Sequence, residues 1–141
     1  MKKVFFDTWG WVAIAHKDDS HHAEVITFYK DFLTAKGIPV TTDYIIAETI
    51  TLLRSRTNPD GTAVFIDTLL NAAQKGLIHV HHIDEDQWNK AWQLSKKYHD
   101  KPNISFVDFT SFVIMKEYHL YESLTADKHF EEVGMRFKKL F

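Results

Sequence analysis

No cysteine occurs in the 141 residues, which excludes disulfide cross-links, thiolate metal sites and thiol catalysis. An excess of positive charge is also missing. Seventeen Lys and Arg stand against nineteen Asp and Glu, a net charge of −2, so any grip on nucleic acid has to come from a local patch. No apolar run approaches a membrane span, and the opening MKKVFFDTWGW lacks the cleavage region of a secretory signal, so the expected setting is cytoplasmic with no membrane partner. Glycine-rich phosphate loops, internal repeats, low-complexity tracts and the common nucleophile–histidine motifs are all absent. What is present is 45% hydrophobic and 26% charged, the profile of one folded domain spanning residues 1–141.

Read in order, the chain alternates short apolar runs with helical patterns. Val4-Phe5-Phe6 suits a strand buried on both faces, ending at Asp7. Thr8 is placed to cap a buried helix over Trp9–His16, and a longer helix over about Ser20–Ala35 stops at Gly37. Ile38–Thr41 predicts a second strand, with Thr42 capping a helix to about Arg56. Asn58-Pro59 restarts a helix that ends at Gly76. Leu77–Ile83 predicts a third strand, and Asp84 with Gln87 forms a capping-box pattern ahead of a helix to about His99. A helix over Phe106–His119, a strand over Glu122–Ala126, a helical turn near Lys128–Glu132 and a strand over Met135–Lys139 complete the chain. This alternation predicts a Rossmann-like three-layer α/β domain. Its sheet is mostly parallel, twisted and about five-stranded, with helices on both faces.

In such a sheet, groups at the carboxyl ends of strands and at the following helix starts meet in one crevice. Asp7 and Asp127 end predicted strands, Asp108 sits in the first turn of a helix, and Glu48 borders the apolar face of another. Carboxylates drawn together repel and are costly to desolvate, so either their pKa values rise or a cation neutralises them. With oxygen donors and no thiolate, a hard ion such as Mg²⁺ or Mn²⁺ is the natural occupant, and phosphodiester hydrolysis the natural chemistry. Each acid also has a purely structural reading. Ser105-x-x-Asp108 is a helix-start pattern, Asp127 can cap the next turn, and a mid-helix Glu is commonly a surface charge.

Together, Val4-Phe5-Phe6-Asp7-Thr8, Glu48, Ser105-Phe106-Val107-Asp108 and Leu124-Thr125-Ala126-Asp127-Lys128-His129-Phe130 resemble the PIN domain across nearly the whole chain. The resemblance implies a Mg²⁺- or Mn²⁺-dependent ribonuclease, often the toxin of a VapBC toxin–antitoxin pair and suited to a homodimer. By position it implies an acidic site of Asp7, Glu48, Asp108 and Asp127. Asp7, Asp108 and Asp127 would hold the metal, and Glu48 a second ion or the attacking water. Thr8, Ser105 and Thr125 would orient the carboxylates. The implied partners are an RNA substrate and an antitoxin.

Lys128, Lys116, Arg54 and Arg56 are candidate contacts for RNA phosphates, against the alternative of solvated helix-end charges. His129, just past Asp127, is a candidate to reach substrate. His79 and His81 share a strand face, with a structural role expected. Trp9 and Trp11 are expected in the core, and Trp88 with Trp92 in an inward or partner-facing stripe. Two other functions compete. A phosphoacceptor receiver would need paired acids after the first strand and an aspartate after the third, and Phe6-Asp7-Thr8 and Val80-His81-His82 offer neither. An RNA-binding module that has lost turnover would retain the acidic residues.

Overall fold

The computed structural model describes residues 2–141. Five strands, β1 (Lys3–Phe6), β2 (Ile38–Thr42), β3 (His79–His81), β4 (Glu122–Leu124) and β5 (Lys138–Lys139), form one all-parallel sheet in the order β3-β2-β1-β4-β5. Four helices, α1 (Thr8–Ala15), α2 (His22–Thr34), α3 (Asp43–Arg56) and α4 (Pro59–Gln74), connect the first three strands. Helices α5 (Glu85–Lys97) and α6 (Phe106–Glu117) carry the chain back to β4, and the single turn α7 (His129–Glu132) leads to β5. Such crossovers are right-handed as a rule, so the connections running from β1 toward β3 and those running back to β4 and β5 place their helices on opposite faces. The aromatic rings follow that division. Phe6 meets Trp11, Tyr29 and Phe32 from α1 and α2, whereas Phe112 of α6 meets Phe130 and Phe137.

The strand order decides one of the competing readings. A receiver domain has the order 2-1-3-4-5. Here the chain walks outward from β1 to β3, then returns to the other side of β1. The reversal point therefore lies between β1 and β4, where ligands bind in folds of this type.

The caps expected at Thr42 and at Asp84 are formed, whereas the one expected of Thr8 is not. Thr42 accepts from the Ile45 N–H, Asn58 from Gly61, and Asp84 with Gln87 completes its capping box. Several boundaries shift for local reasons. Thr8 is the first residue of α1 and Asp7 occupies the cap position, without a capping side-chain bond. Leu77 closes the end of α4 by donating to Ala72, so β3 begins only at His79. Gly134 and Arg136 have φ of 70° and 69°, which breaks the extended run and leaves β5 two residues long. At the end of α2 the left-handed residue is Lys36 (φ 61°). Gly37 is required because a Cβ there would lie 2.4 Å from the Phe32 ring. Trp11 is core as expected, whereas Trp9 is half-buried beside Phe141. Trp88 and Trp92 are not inward: they are 41% and 47% exposed, with Trp88 resting on Phe106.

Candidate active site

Two short strands, β1 and β4, end side by side at the reversal point, and each leads into an acid. Asp7 leaves β1 and is 5% exposed, its main-chain carbonyl accepting the Gly10 and Trp11 N–H groups that start α1. The expected β4 strand stops two residues early. Thr125 turns away from the ladder, its N–H donating to the Ser123 carbonyl, and its hydroxyl then serves both acids. It donates to Asp7 Oδ2 at 2.8 Å and accepts the Asp127 N–H at 3.1 Å. One buried hydroxyl thus sets the relative position of carboxyl groups 120 residues apart in sequence.

Asp108 arrives from the opposite direction, at the start of α6. Its N–H donates to Ser105 Oγ at 3.0 Å, and its Oδ2 accepts the Ser105 N–H at 3.4 Å. The helix-start pattern is therefore real and does not compete with a site role, because the reciprocal bonds hold the carboxyl over the crevice. Ser105 orients Asp108 mainly through its backbone, since its hydroxyl accepts from the Asp108 amide. Thr8 makes no such contact: its buried hydroxyl has no partner among the described residues. Glu48, half-buried on α3, completes the group of acids around one hollow of about 450 Å³, which Thr8, Asn103 and Ser105 also line.

Crowding shows in the acidities. Burial, then the charge of Asp108, pushes Asp7 up to about 7, against the opposing bonds from Thr125 and the Thr8 backbone. Burial, then the charge of Asp127, pushes Asp108 up to about 6, and Glu48 adds to both shifts. His129 lies among these acids. Its N–H donates to Asp127 Oδ1 at 2.9 Å, an Asx-type turn that swings the imidazole inward. Nδ1 then sits 3.2 Å from Asp127 Oδ1 and 3.5 Å from Asp108 Oδ2, buried and without hydrogen-bonding geometry to either. One ligand atom each from Asp108, Asp127 and His129 lie within 4.8 Å of one another, a donor trio tighter than the four acids taken together.

The basic candidates separate. Arg56 lines the hollow, at the last turn of α3. Arg54 is exposed and does not line it, and Lys128 is exposed and pairs with Glu132 at 3.7 Å. Lys116 belongs to a different hollow, with Lys90, Leu94 and Met135. Two polar contributors had no sequence signal. Asp19 and Asn103 reach the hollow from loops, where neither periodicity nor capping pattern marks a residue.

Residues 4–135 match the PIN domain family. Over 131 residues the chain is 26% identical to the 23S rRNA-specific endonuclease VapC20 of Mycobacterium tuberculosis, covering 93% of this chain and 94% of that protein. The crystal structure of VapC20, described as a sarcin-ricin loop cleaving toxin, superposes with a TM-score of 0.74 over 93% of this chain and 95% of that one. Two DNA-bound complexes share the fold at lower identity. VapBC2 of Rickettsia felis has 12% identity and a TM-score of 0.66, covering 97% of this chain and 96% of that one. VapBC of Salmonella typhimurium has 13% identity and a TM-score of 0.67, covering 99% and 98%.

Proposed function

The chain belongs to the PIN domain family, and from that premise we propose that it is a divalent-metal-dependent endoribonuclease acting as the toxin of a toxin–antitoxin pair. The observation that carries this reading is the convergence of Asp7, Glu48, Asp108 and Asp127 on one hollow at the reversal point of the sheet. A cluster of this kind is stable in its ionised form only opposite a cation, and the upward shifts of Asp7 and Asp108 register that need. The donor set fits a hard ion: carboxylate oxygens, one imidazole, no thiolate, and on the wall the Thr8 hydroxyl, which has no partner among the described residues. A bound Mg²⁺ or Mn²⁺ would supply Lewis-acid polarisation of the phosphodiester and a more acidic water.

In this reading the protein's own residues divide the work. Asp108 and Asp127 hold the ion, with His129 beside them. Asp7, fixed by Thr125, closes the set from the β1 side. Glu48 faces the same space from α3 and takes the water to be activated or a second ion. Arg56 attracts the RNA backbone to an otherwise acidic opening, as a local cation must in a chain of net charge −2.

The test is cleavage of ribosomal RNA, the substrate class named for the M. tuberculosis relative, by purified protein. We expect scission in Mg²⁺ or Mn²⁺, none in EDTA, and a loss of about 100-fold or more in Asp108→Asn, since removing a ligand costs at least as much as removing the outer support of one. Equal cleavage in EDTA overturns the mechanism. RNA binding without scission at every divalent-ion concentration favours the binding-module alternative.

A further inference from the structure

A second constellation lies apart from the acidic hollow, and none of its members lines it. It starts from the sequence His79-Val80-His81 on β3, which is an edge strand of the sheet. Alternation along a strand sends both imidazoles to one face. Tyr118, which caps the C-terminal end of α6, places its hydroxyl between them, 3.0 Å from His79 Nε2 and 2.7 Å from His81 Nδ1. The two imidazole centroids are 6.4 Å apart, and Tyr118 stands edge-on to each.

The far nitrogen of His81 is fixed as well. Nε2 lies 2.7 Å from Gln87 Oε1, which also accepts the Asp84 N–H at 3.0 Å. That backbone donor identifies the Gln87 atom as the oxygen, and the Gln87 amide group donates to Glu117 Oε2 at 2.9 Å. His81 Nε2 therefore carries a proton, and its Nδ1 lone pair faces Tyr118. Gln87 is 6% exposed, so the support is buried while the donor atoms lie near the surface.

We propose that His79, His81 and Tyr118 form a binding site for a borderline divalent cation of the zinc type, separate from the acidic hollow. Two imidazole nitrogens favour zinc, with the Tyr118 oxygen as the third donor at hand, whereas Mg²⁺ prefers carboxylates and water. Donors about 2.0–2.1 Å from a tetrahedral zinc lie about 3.3 Å from one another, so the two nitrogen–oxygen separations, 3.0 and 2.7 Å, need only a small expansion, and the exposed imidazole of His79 turns to close the third side. An imidazole whose second nitrogen donates to a fixed carbonyl is the usual outer support of a metal ligand. Coordination forms metal–nitrogen bonds at His79 Nε2 and His81 Nδ1 and a metal–oxygen bond at Tyr118. Burial, then Glu117, pushes the Tyr118 hydroxyl up, so it gives its proton to water only as the ion binds, and His79 exchanges its Nε2 proton for one on Nδ1 through solvent. The fourth position is left to water. Such an ion would clip the edge strand to the helix that carries Asp108 at its other end.

The full chain is titrated with Zn²⁺ in excess Mg²⁺ by calorimetry, and with Co²⁺ by visible absorption. We expect one equivalent bound in the micromolar range, with affinity lowered at least about tenfold in His79→Ala and in His81→Ala, and several-fold in Tyr118→Phe. Zinc should raise the melting temperature of the parent protein and of Asp108→Asn but not of the histidine variants. Melting in EDTA checks that each variant folds, with His79→Gln as the gentler second choice. Zinc uptake equal in the parent and all three variants overturns the proposal, as does none up to millimolar zinc. RNA cleavage in Mg²⁺ is read separately, since His79→Ala should retain it and Asp108→Asn should not, so this inference and the nuclease reading fail independently.

Discussion

At Asp7 two opposing influences act on one carboxyl. Burial and the neighbouring Asp108 favour the protonated form, while the Thr125 hydroxyl and the Thr8 N–H favour the anion, and burial prevails. Because the folded-state value of about 7 lies above the unfolded 3.8, the folded chain keeps a proton that the unfolded chain releases. Stability from this group is complete below about pH 4 and is lost as pH rises through 7, on the order of 4 kcal/mol at most. Removing the charge should therefore separate stability from chemistry. In EDTA at pH 8, Asp7→Asn should melt above the parent protein, with the gap narrowing toward pH 5, while RNA cleavage in Mg²⁺ is lost. Thermal melts from pH 5 to 8 check this, and parallel curves for the two proteins would show that the carboxyl is not shifted.

At the scale of elements, the site depends on how closely α1 lies against β4. Gly10 permits that approach: a Cβ there would fall 2.7 Å from the Leu124 carbonyl oxygen and 2.8 Å from the Leu124 Cγ. The backbone atom cannot swing aside, so Gly10→Ala must push the helix off the strand. We expect a loss of about 1–3 kcal/mol in urea denaturation, and weakened cleavage because Asp7 and Thr125 sit at the two ends of that contact. The elements themselves were readable because their signals are local. Thr42, Asn58 and Asp84 announce helix starts within four residues, and Val4-Phe5-Phe6 announces a central strand. The short strands were less readable. Apolar content extends β3 and β5 on paper, but the Leu77 bond to Ala72 and the positive φ of Gly134 and Arg136 cut them in space.

For the whole molecule, the remaining question is what covers its exposed apolar surface. Leu33 of α2 and Leu77 after α4 are 41% and 58% exposed, and both line an apolar hollow of about 560 Å³ with Tyr29 and Ile38. An apolar hollow of this kind suits the apolar face of a partner helix, and in the toxin–antitoxin reading the test is whether an antitoxin uses it. Leu33→Asp should weaken co-purification of a co-expressed antitoxin without lowering RNA cleavage by the free protein. Undiminished co-purification would place the partner elsewhere. By itself the sequence determined the strand–helix alternation, the helix caps at Thr42 and Asp84 and the placement of Asp7, Glu48, Asp108 and Asp127 at element ends and borders, because each is encoded within one or two helical turns. Only the tertiary structure decided that Thr125 bridges two of those acids, that His129 rather than Lys128 turns inward, that Arg56 rather than Lys116 reaches the hollow, and that Tyr118 meets two histidines from the edge strand. Each depends on which strand ends adjoin and which way a turn rotates, and a linear pattern carries no term for either.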